Sequence, residues 1–192
     1  MEVVPRGKRA TDAADLSLFI ICPEIKMGQE INIKNREIIM ERSVVIIKPD
    51  AIQRGVIGEI ISRLERKGIK LIGIKMVQLT NSILNEHYSH LSDEKFFWEI
   101  KQFMMSTPVI VTCWEGLDCV QTIRQLIGIT LSREAEPGTI RGDLAMSIQN
   151  NLVHASDSKD TAIIEIDRFF ENTEIFSYDS LSLPCIYGNH ET

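Results

Sequence analysis

One histidine stands in a setting that suits covalent chemistry. His154 lies in the segment 151–158, where a short apolar run gives way to small polar residues. A histidine at such a point can meet a ligand and still be held rigidly. Neutral imidazole is a good phosphoryl acceptor, and an ordinary histidine, with a pKa of about 6.5, is mostly neutral at pH 7. The alternative is a histidine that caps or packs, which is the interpretation we favour for His87, His90 and His190.

Three cations are candidates for binding phosphate. The sequence has neither the P-loop pattern GxxxxGK[ST] nor the dinucleotide pattern GxGxxG, so phosphate chemistry here needs another device. Lys48 ends the first apolar run, Arg124 lies on a predicted helix, and Arg141 lies in the segment 137–143. A single lysine or arginine is most often a solvated surface charge, so none of them is convincing alone.

Composition limits the classes of protein to consider. The chain has 192 residues, of which 44% are hydrophobic, enough for one domain with a substantial core. Its net charge of -6 disfavours extended binding to nucleic acid, whose backbone is also negative. No apolar run approaches the roughly 20 residues that cross a bilayer. Acidic residues precede the apolar run 16–22, unlike a secretory or transit sequence, so we expect a soluble cytoplasmic protein.

The cysteines predict neither a zinc site nor a disulfide framework. They form no CxxC pair, and their spacing matches no common metal pattern. We therefore expect idle thiols in a reducing compartment. The residues concerned are Cys22, Cys113, Cys119 and Cys185.

Hydrophobic periodicity predicts the elements that must position the candidate residues. Four strands are predicted, at 44–47, 69–79, 109–114 and 152–153. Amphipathic helices are predicted at 56–64, 84–91, 95–105, 119–127 and 158–170, the last capped by Ser158 and turning Ala162, Ile163, Ile166 and Phe170 inward. Residues 130–150 show no period, and so long a loop in a compact domain is usually functional or disordered. Beyond Asp179, Pro184 and Gly188 argue against a helix.

The order of these elements predicts the fold. It is strand, helix, strand, two inserted helices, strand, helix, long loop, strand and helix. That order indicates an α/β (α+β) fold, a ferredoxin-like split βαβ sandwich with helices packed on a four-stranded antiparallel sheet. We expect the domain to span 41–179. Residues 1–40 would form an N-terminal extension, disordered or of artificial origin, and 180–192 a C-terminal tail.

From Glu41 to about Tyr178 the sequence resembles the nucleoside diphosphate kinase family. Each matching segment is weak alone, but they occur in the order and at the spacing of the family, and together they are highly specific. The matching segments are 45–50, 53–55, 59–61, 86–88, 96–97, 114–116, 137–143 and 151–158. The resemblance implies a ferredoxin-like core. It also implies transfer of the γ-phosphate of a nucleoside triphosphate to a diphosphate, by a ping-pong mechanism through phospho-His154.

The resemblance also implies roles for individual residues. His154 matches the histidine phosphorylated on Nδ1, and Glu165, with Ser156 beside it, matches the carboxylate that binds the other ring nitrogen. Phe96 matches the aromatic on which the base stacks, although by spacing alone Phe97 is an equal candidate. The residues that match those holding phosphates and sugar are Lys48, Tyr88, Arg124, Thr130, Arg141 and Asn151, of which Lys48 would also assist transfer.

Further expectations follow from the family. Mg²⁺ would arrive on the nucleotide phosphates, with no dedicated metal site in the protein. Stacking on Phe96 would tolerate any base. Members are homo-oligomers, usually hexamers or tetramers. The chain departs from the family at Leu131–Ser132, where a proline is lost, and at Ala155, where glycine is common.

Two other functions compete with this interpretation. The first keeps the fold but not the catalysis, and makes the chain a nucleotide-binding or protein-interaction module that acts as a regulator. The presence of the whole set of matched residues disfavours it. The second is a nucleic-acid-binding protein, which the net charge of -6 disfavours.

Overall fold

The computed structural model describes residues 40–188. Its strands are β1 (Glu41–Ile47), β2 (Lys70–Val77), β3 (Val109–Gly116) and β4 (Val153–Ala155). Its α-helices are α1 (Pro49–Gln53), α2 (Ile57–Arg66), α3 (Asn81–His87), α4 (Phe97–Met104), α5 (Cys119–Ile127), α6 (Ile140–Leu144), α7 (Lys159–Phe169) and α8 (Leu183–Ile186). Short 3₁₀ turns lie at Ser89–Leu91, Ser132–Glu134 and Asn172–Glu174.

The four strands form one antiparallel sheet in the order β2-β3-β1-β4. The central pair runs from Glu41 opposite Gly116 to Ile47 opposite Ile110. The short strand β4 pairs with the other side of β1 and forms one edge of the sheet. This strand order, with helices in the connections, confirms the predicted ferredoxin-like fold.

Both faces of the sheet are covered by helices. Val45 and Ile47 lie in a core cluster with α2 and α5, whereas Val44 and Ile46 lie in a second cluster with α3, α4 and α7. Successive side chains of a strand point to opposite faces. Because both faces are buried, β1 reads as a continuous apolar run instead of an alternating one. Burying each of these side chains stabilises the fold by about 1.5–3 kcal/mol.

Some of the predicted elements were wrong in detail. Periodicity did not reveal the five-residue helices α1 and α6, and α8 forms where no helix was expected. Helices this short span little more than one turn, so they carry almost no periodic signal. Pro184 lies in the first turn of α8, where a missing N–H is tolerated. Ile163, predicted to face inward, is 60% exposed, because the buried face of α7 carries Glu165 between Ala162 and Phe169.

The C-terminal segment lies beside β2. The amide of Phe176 donates to the carbonyl of Ile72 (2.8 Å), and the Tyr178 hydroxyl donates to the carbonyl of Leu71 (2.7 Å). Lys70 Nζ in turn donates to the carbonyl of Tyr178 (3.1 Å). These contacts satisfy backbone groups along the outer strand of the sheet.

Several expectations fall outside the described residues: the extension over 1–40 except its last residue, and those for Cys22 and His190. Within 40–188, no helix is long and apolar enough to cross a membrane. Cys113 and Cys119 are buried free thiols. Burial raises the pKa of Cys113 to about 12, so this thiol stays protonated and unreactive at neutral pH.

Candidate active site

His154 occupies the middle of the edge strand β4, opposite Ile46 of β1. Its neighbours Val153 and Ala155 are buried in the first core cluster, so by strand alternation His154 points to the other face. Its side chain remains 23% exposed. The strand therefore fixes the backbone of a histidine that still reaches solvent, as the sequence predicted.

A buried carboxylate orients this imidazole. Glu165 Oε1 lies 2.8 Å from His154 Nε2, and the Ser156 hydroxyl donates to Glu165 Oε2 (2.6 Å). Burial by itself raises the pKa of Glu165, but hydrogen bonds and charge from His154, together with the Ser156 hydroxyl, leave that pKa below its ordinary value. An ionised Glu165 requires a proton on Nε2. Nδ1 then carries the lone pair and is the nitrogen available to a ligand.

Lys48 and Asn151 form a hydrogen-bonded pair on the same side of the sheet as His154. Lys48 Nζ donates to Asn151 Oδ1 (2.6 Å), and the Asn151 amide donates to the carbonyl of Ile148 (2.8 Å). Burial, together with the charge of Arg141, lowers the pKa of Lys48 to about 8. At neutral pH the amine is therefore mostly protonated, but its pKa lies not far above the pH.

Arg141 forms hydrogen bonds with the backbone around the site. Its guanidinium donates to the carbonyls of Gly128 (2.8 Å), Asn151 (3.2 Å) and Val153 (2.7 Å). The side chain is buried, and this burial, with the nearby charge of Arg124, lowers the pKa of Arg141 to about 10. The group thus remains cationic at neutral pH.

The loop before β4 holds Arg141 at the start of α6. Thr139 caps this helix by accepting from the amide of Gly142 (3.0 Å), and Arg63 of α2 pairs with Asp143 (2.6 Å). A Cβ atom at position 142 would lie 2.1 Å from the carbonyl oxygen of Glu136, so only glycine fits there. The segment 130–150, which lacks periodicity, is therefore ordered by tertiary contacts.

Leu152, just before β4, has a strained backbone. Leu152 has φ +70°, a left-handed conformation that costs a branched side chain about 1–2 kcal/mol. Its amide donates to Asp50 Oδ2 (3.0 Å), and its carbonyl accepts from the amide of Lys48 (2.8 Å). Lys48 and Asp50, just after β1, thus hold the backbone of Leu152 in place. Ala155 adopts no positive φ, so the loss of the common glycine there is tolerated.

Two open clefts meet at His154. One, of about 630 Å³, reaches toward the end of α5 and is lined by Arg124, Thr130, Arg141 and His154 among others. The second, of about 590 Å³, reaches toward α4 and is lined by Lys48, Tyr88, Phe96, Thr130, Arg141, Asn151 and His154 among others. All the residues predicted to bind nucleotide therefore line one or both clefts, and Glu165 lies behind the histidine.

The aromatic residues take different positions around the second cleft. Phe96 lines it and is 45% exposed, whereas Phe97 packs against the core cluster beneath α4. The ring of Tyr88 is buried, 6.4 Å from the ring of His154. Burial raises the pKa of Tyr88, so its phenol remains a neutral donor. Of the two phenylalanines that spacing left equal, Phe96 is the one that lines the cleft.

His87 lies against the nucleophile candidate, which sequence reasoning did not foresee. It is buried, as expected of a packing residue, but its ring centroid is 4.5 Å from that of His154. Burial, together with the neighbouring His154, lowers the pKa of His87 to about 3. The ring is therefore neutral. Its position next to Tyr88 in the chain was the only signal that could have pointed to the site.

Three carboxylates lie near the site. Glu134, Glu136 and Asp157 line the first cleft without converging on one point. Among residues 40–188, the one group of three His, Cys, Asp or Glu side chains close enough to share an ion is His87, His154 and Glu165. Two imidazoles are poor ligands for Mg²⁺, which prefers oxygen.

Comparisons with known proteins agree in sequence and in structure. A family model described as nucleoside diphosphate kinase matches residues 41–175. A nucleoside diphosphate kinase of Parabacteroides distasonis is 55% identical over 152 residues, which cover 79% of this chain and 99% of that protein. Nucleoside diphosphate kinase A of Rattus norvegicus is 43% identical over 147 residues, covering 77% and 97%. The structure of a halophilic nucleoside diphosphate kinase from Halobacterium salinarum in complex with CDP matches with a TM-score of 0.75 at 40% identity, covering 77% of this chain and 99% of that one.

Proposed function

Because the chain belongs to the nucleoside diphosphate kinase family, we propose that His154 is the residue that carries phosphate between nucleotides. The chain is a phosphotransferase that moves the γ-phosphate of a nucleoside triphosphate to a nucleoside diphosphate, in two steps through a phosphohistidine. The observation that carries the assignment is the 2.8 Å contact between Glu165 and His154 Nε2. It leaves Nδ1 as the nucleophile, on a ring where two clefts meet.

In the first step, the lone pair on His154 Nδ1 attacks the γ-phosphorus of the triphosphate. The P–N bond forms as the bond to the β–γ bridging oxygen breaks, and the diphosphate leaves with that bonding pair. In the second step, an oxygen of an acceptor diphosphate attacks the phosphohistidine and Nδ1 leaves. Splitting the transfer in this way replaces one difficult reaction by two easier ones.

Cations around His154 would stabilise the charge that moves during transfer. We assign this role to Lys48, Arg124 and Arg141, whose charges lie along the clefts that meet at the ring. Phosphoryl transfer depends mostly on such positioning and charge neutralisation. We assign Tyr88, Thr130 and Asn151 to holding phosphate and sugar.

The base would stack on Phe96, whose exposed ring lines the second cleft. Every base has a π-face, so stacking discriminates little between bases. We therefore propose that the enzyme accepts nucleotides with any of the common bases.

Mg²⁺ would bind through the nucleotide, as the scattered carboxylates of the first cleft suggest. When bound, it would neutralise part of the phosphate charge. We propose that Asp157 meets the ion's outer ligands, because this carboxylate lines the cleft beside His154. A hydrogen bond from Thr161 outweighs the effect of burial and holds the pKa of Asp157 below its ordinary value.

We further propose a homo-oligomer, a hexamer or tetramer, acting in the cytoplasm, with its kinase domain over 41–179. Support for assembly comes from Ile74 and Met76 of β2, which are large, apolar and exposed side by side on the outer strand. Support for a reducing compartment comes from the free thiols Cys113 and Cys119. Sedimentation of the purified chain would test the assembly, and a monomer at micromolar concentration would contradict it.

The function is tested by labelling in the absence of an acceptor. We expect the protein to take up label from [γ-³²P]ATP as an acid-labile, alkali-stable phosphoenzyme, as phosphohistidine is. Adding any nucleoside diphosphate should discharge the label into the matching triphosphate. Label that survives acid, or that diphosphates do not remove, would contradict a phosphohistidine intermediate.

Replacing Glu165 by glutamine tests the orienting role of the carboxylate. The amide keeps the shape of the side chain but removes the charge that fixes the proton on Nε2. We expect kcat to fall roughly 10- to 100-fold, the usual effect of removing a group that orients a functional imidazole. The Kd for ADP should change little, because Glu165 contacts the ring and not the ligand.

The matched control is Asp167→Asn, which removes a carboxylate from the exposed face of the same helix. It should leave both quantities unchanged. An unaltered kcat in Glu165→Gln would remove this residue from the mechanism.

A further inference from the structure

The histidine beside His154 and Glu165, His87, has no part in the mechanism proposed for phosphate transfer. His87 ends α3 and is buried between the ring of His154 and the side chains of α7. Its Nε2 atom is buried with no hydrogen-bond partner. A buried polar atom without a partner is destabilising. A simple packing role would therefore be better filled by an apolar side chain.

The other nitrogen of this ring lies between opposite charges. His87 Nδ1 is 3.6 Å from Glu165 Oε1 and 3.4 Å from Arg168 Nη1. A guanidinium can only donate, so in this contact Nδ1 is the acceptor and the ring proton is on Nε2. The ring is then neutral, and its contact with Glu165 is not an ion pair. Burial, which lowers the pKa of His87 to about 3, favours the same state.

Arg168 and Glu165 would otherwise be natural partners. They lie three positions apart on α7, the spacing at which opposite charges on a helix pair with each other. The structure shows a different arrangement: Arg168 Nε donates to Glu86 Oε1 (3.0 Å), while Glu165 Oε1 contacts His154. His87 Nδ1 instead lies close to both the guanidinium and the carboxylate.

We propose that His87 is a positioning residue whose neutral ring separates Arg168 from Glu165 and so reserves the carboxylate for His154. If Arg168 bound Glu165 directly, it would compete for the same oxygen, Oε1, that holds His154 Nε2. The orientation of the nucleophile would then weaken, while the nucleotide contacts would remain. The inference rests on the proposed roles of His154 and Glu165.

A metal site is the other use of this cluster, and the geometry disfavours it. The ligand atoms of His87, His154 and Glu165 all lie within 4.8 Å of one another. However, the guanidinium of Arg168 already occupies the position beside His87 Nδ1, and a second cation there would be repelled. The positioning role is therefore the one that the contacts favour.

The test compares four enzymes: wild type, His87→Ala, Arg168→Gln and the double variant. We expect His87→Ala to lower kcat about 10-fold with little change in KM, because the carboxylate is diverted and the nucleotide contacts are kept. The double variant should recover most of this loss, since no guanidinium remains to take the carboxylate. Arg168→Gln alone should stay within about twofold of wild type. A crystal structure of His87→Ala should show Arg168 bound to Glu165.

Two results would overturn the proposal: a double variant as slow as His87→Ala, or a His87→Ala enzyme as fast as wild type. If the alanine variant does not fold, His87→Val and His87→Val/Arg168→Gln make the same comparison with a smaller cavity. His87→Phe keeps the bulk of the ring and should retain most of the activity. If the proposed function itself fails, no phosphoenzyme forms in wild type, whereas failure of this inference leaves that labelling intact.

Discussion

The variant His154→Ala should form no phosphoenzyme and should lose at least roughly 10⁴-fold in kcat, because the covalent route needs a nucleophile. The neighbouring His87 cannot replace it. His87 is neutral, but its Nδ1 accepts from Arg168 and its Nε2 is buried. The measurements are label incorporated from [γ-³²P]ATP and steady-state transfer from ATP to a second diphosphate.

The fold should survive this substitution, so that loss of activity can be assigned to chemistry. The side chain lies on an edge strand and is partly exposed, and its removal opens no cavity in either core cluster. The far-ultraviolet circular dichroism and the Kd for ADP should therefore remain near wild type. His190→Ala, which changes a histidine beyond the matched residues 41–175, is the control. Continued turnover by His154→Ala would refute the mechanism.

Replacing Lys48 by methionine should lower kcat by about 10²- to 10³-fold, the usual cost of removing one group that stabilises transition-state charge. Methionine keeps most of the length and apolar volume of the side chain. Asn151 would lose its 2.6 Å partner but would keep its own contact with the carbonyl of Ile148. Lys67→Met, on the exposed end of α2, is the matched control. A kcat close to wild type in Lys48→Met would contradict the role.

The pKa of Lys48 predicts that activity falls at alkaline pH. The pKa of Lys48 is about 8, lowered mainly by burial, so the amine loses its proton as pH rises through that value. We expect kcat/KM, which reports the free enzyme, to fall about tenfold for each pH unit above 8. A bound triphosphate favours the charged amine, so kcat should decline only at higher pH.

The variant Lys48→Arg separates this charge effect from other titrations. Arginine stays protonated throughout the range, so the fall in kcat/KM near pH 8 should disappear in that variant even if its activity is lower. A fall that persists at the same pH would assign the limit to a different group. The comparison requires kcat/KM for ADP between pH 6 and 10 in buffers of constant ionic strength.

The local signals of the sequence were enough for the fold and for singling out His154 and three candidate cations. The apolar run of β1, the spacing in α2 and α5, and the cap at Ser158 reflect interactions between near neighbours, which periodicity captures. Lys48, His154 and the segment 137–143 stood out because turn residues surround them. A resemblance spread over many segments then gave roles to residues that periodicity alone left ambiguous, such as Phe96.

Tertiary structure decided what depends on residues far apart in the chain. Arg141 takes its position from three carbonyls, and Leu152 is held in a left-handed conformation by Asp50, about a hundred positions away. By periodicity alone Glu165 would be a solvent-facing charge on α7, and its partner His154 comes from the separate strand β4. His87 gains its place between Arg168 and Glu165 only when α3 packs against α7. The role of a charged or aromatic side chain in the site depends on its distance to side chains from other elements. Periodicity along one segment carries no information about that distance.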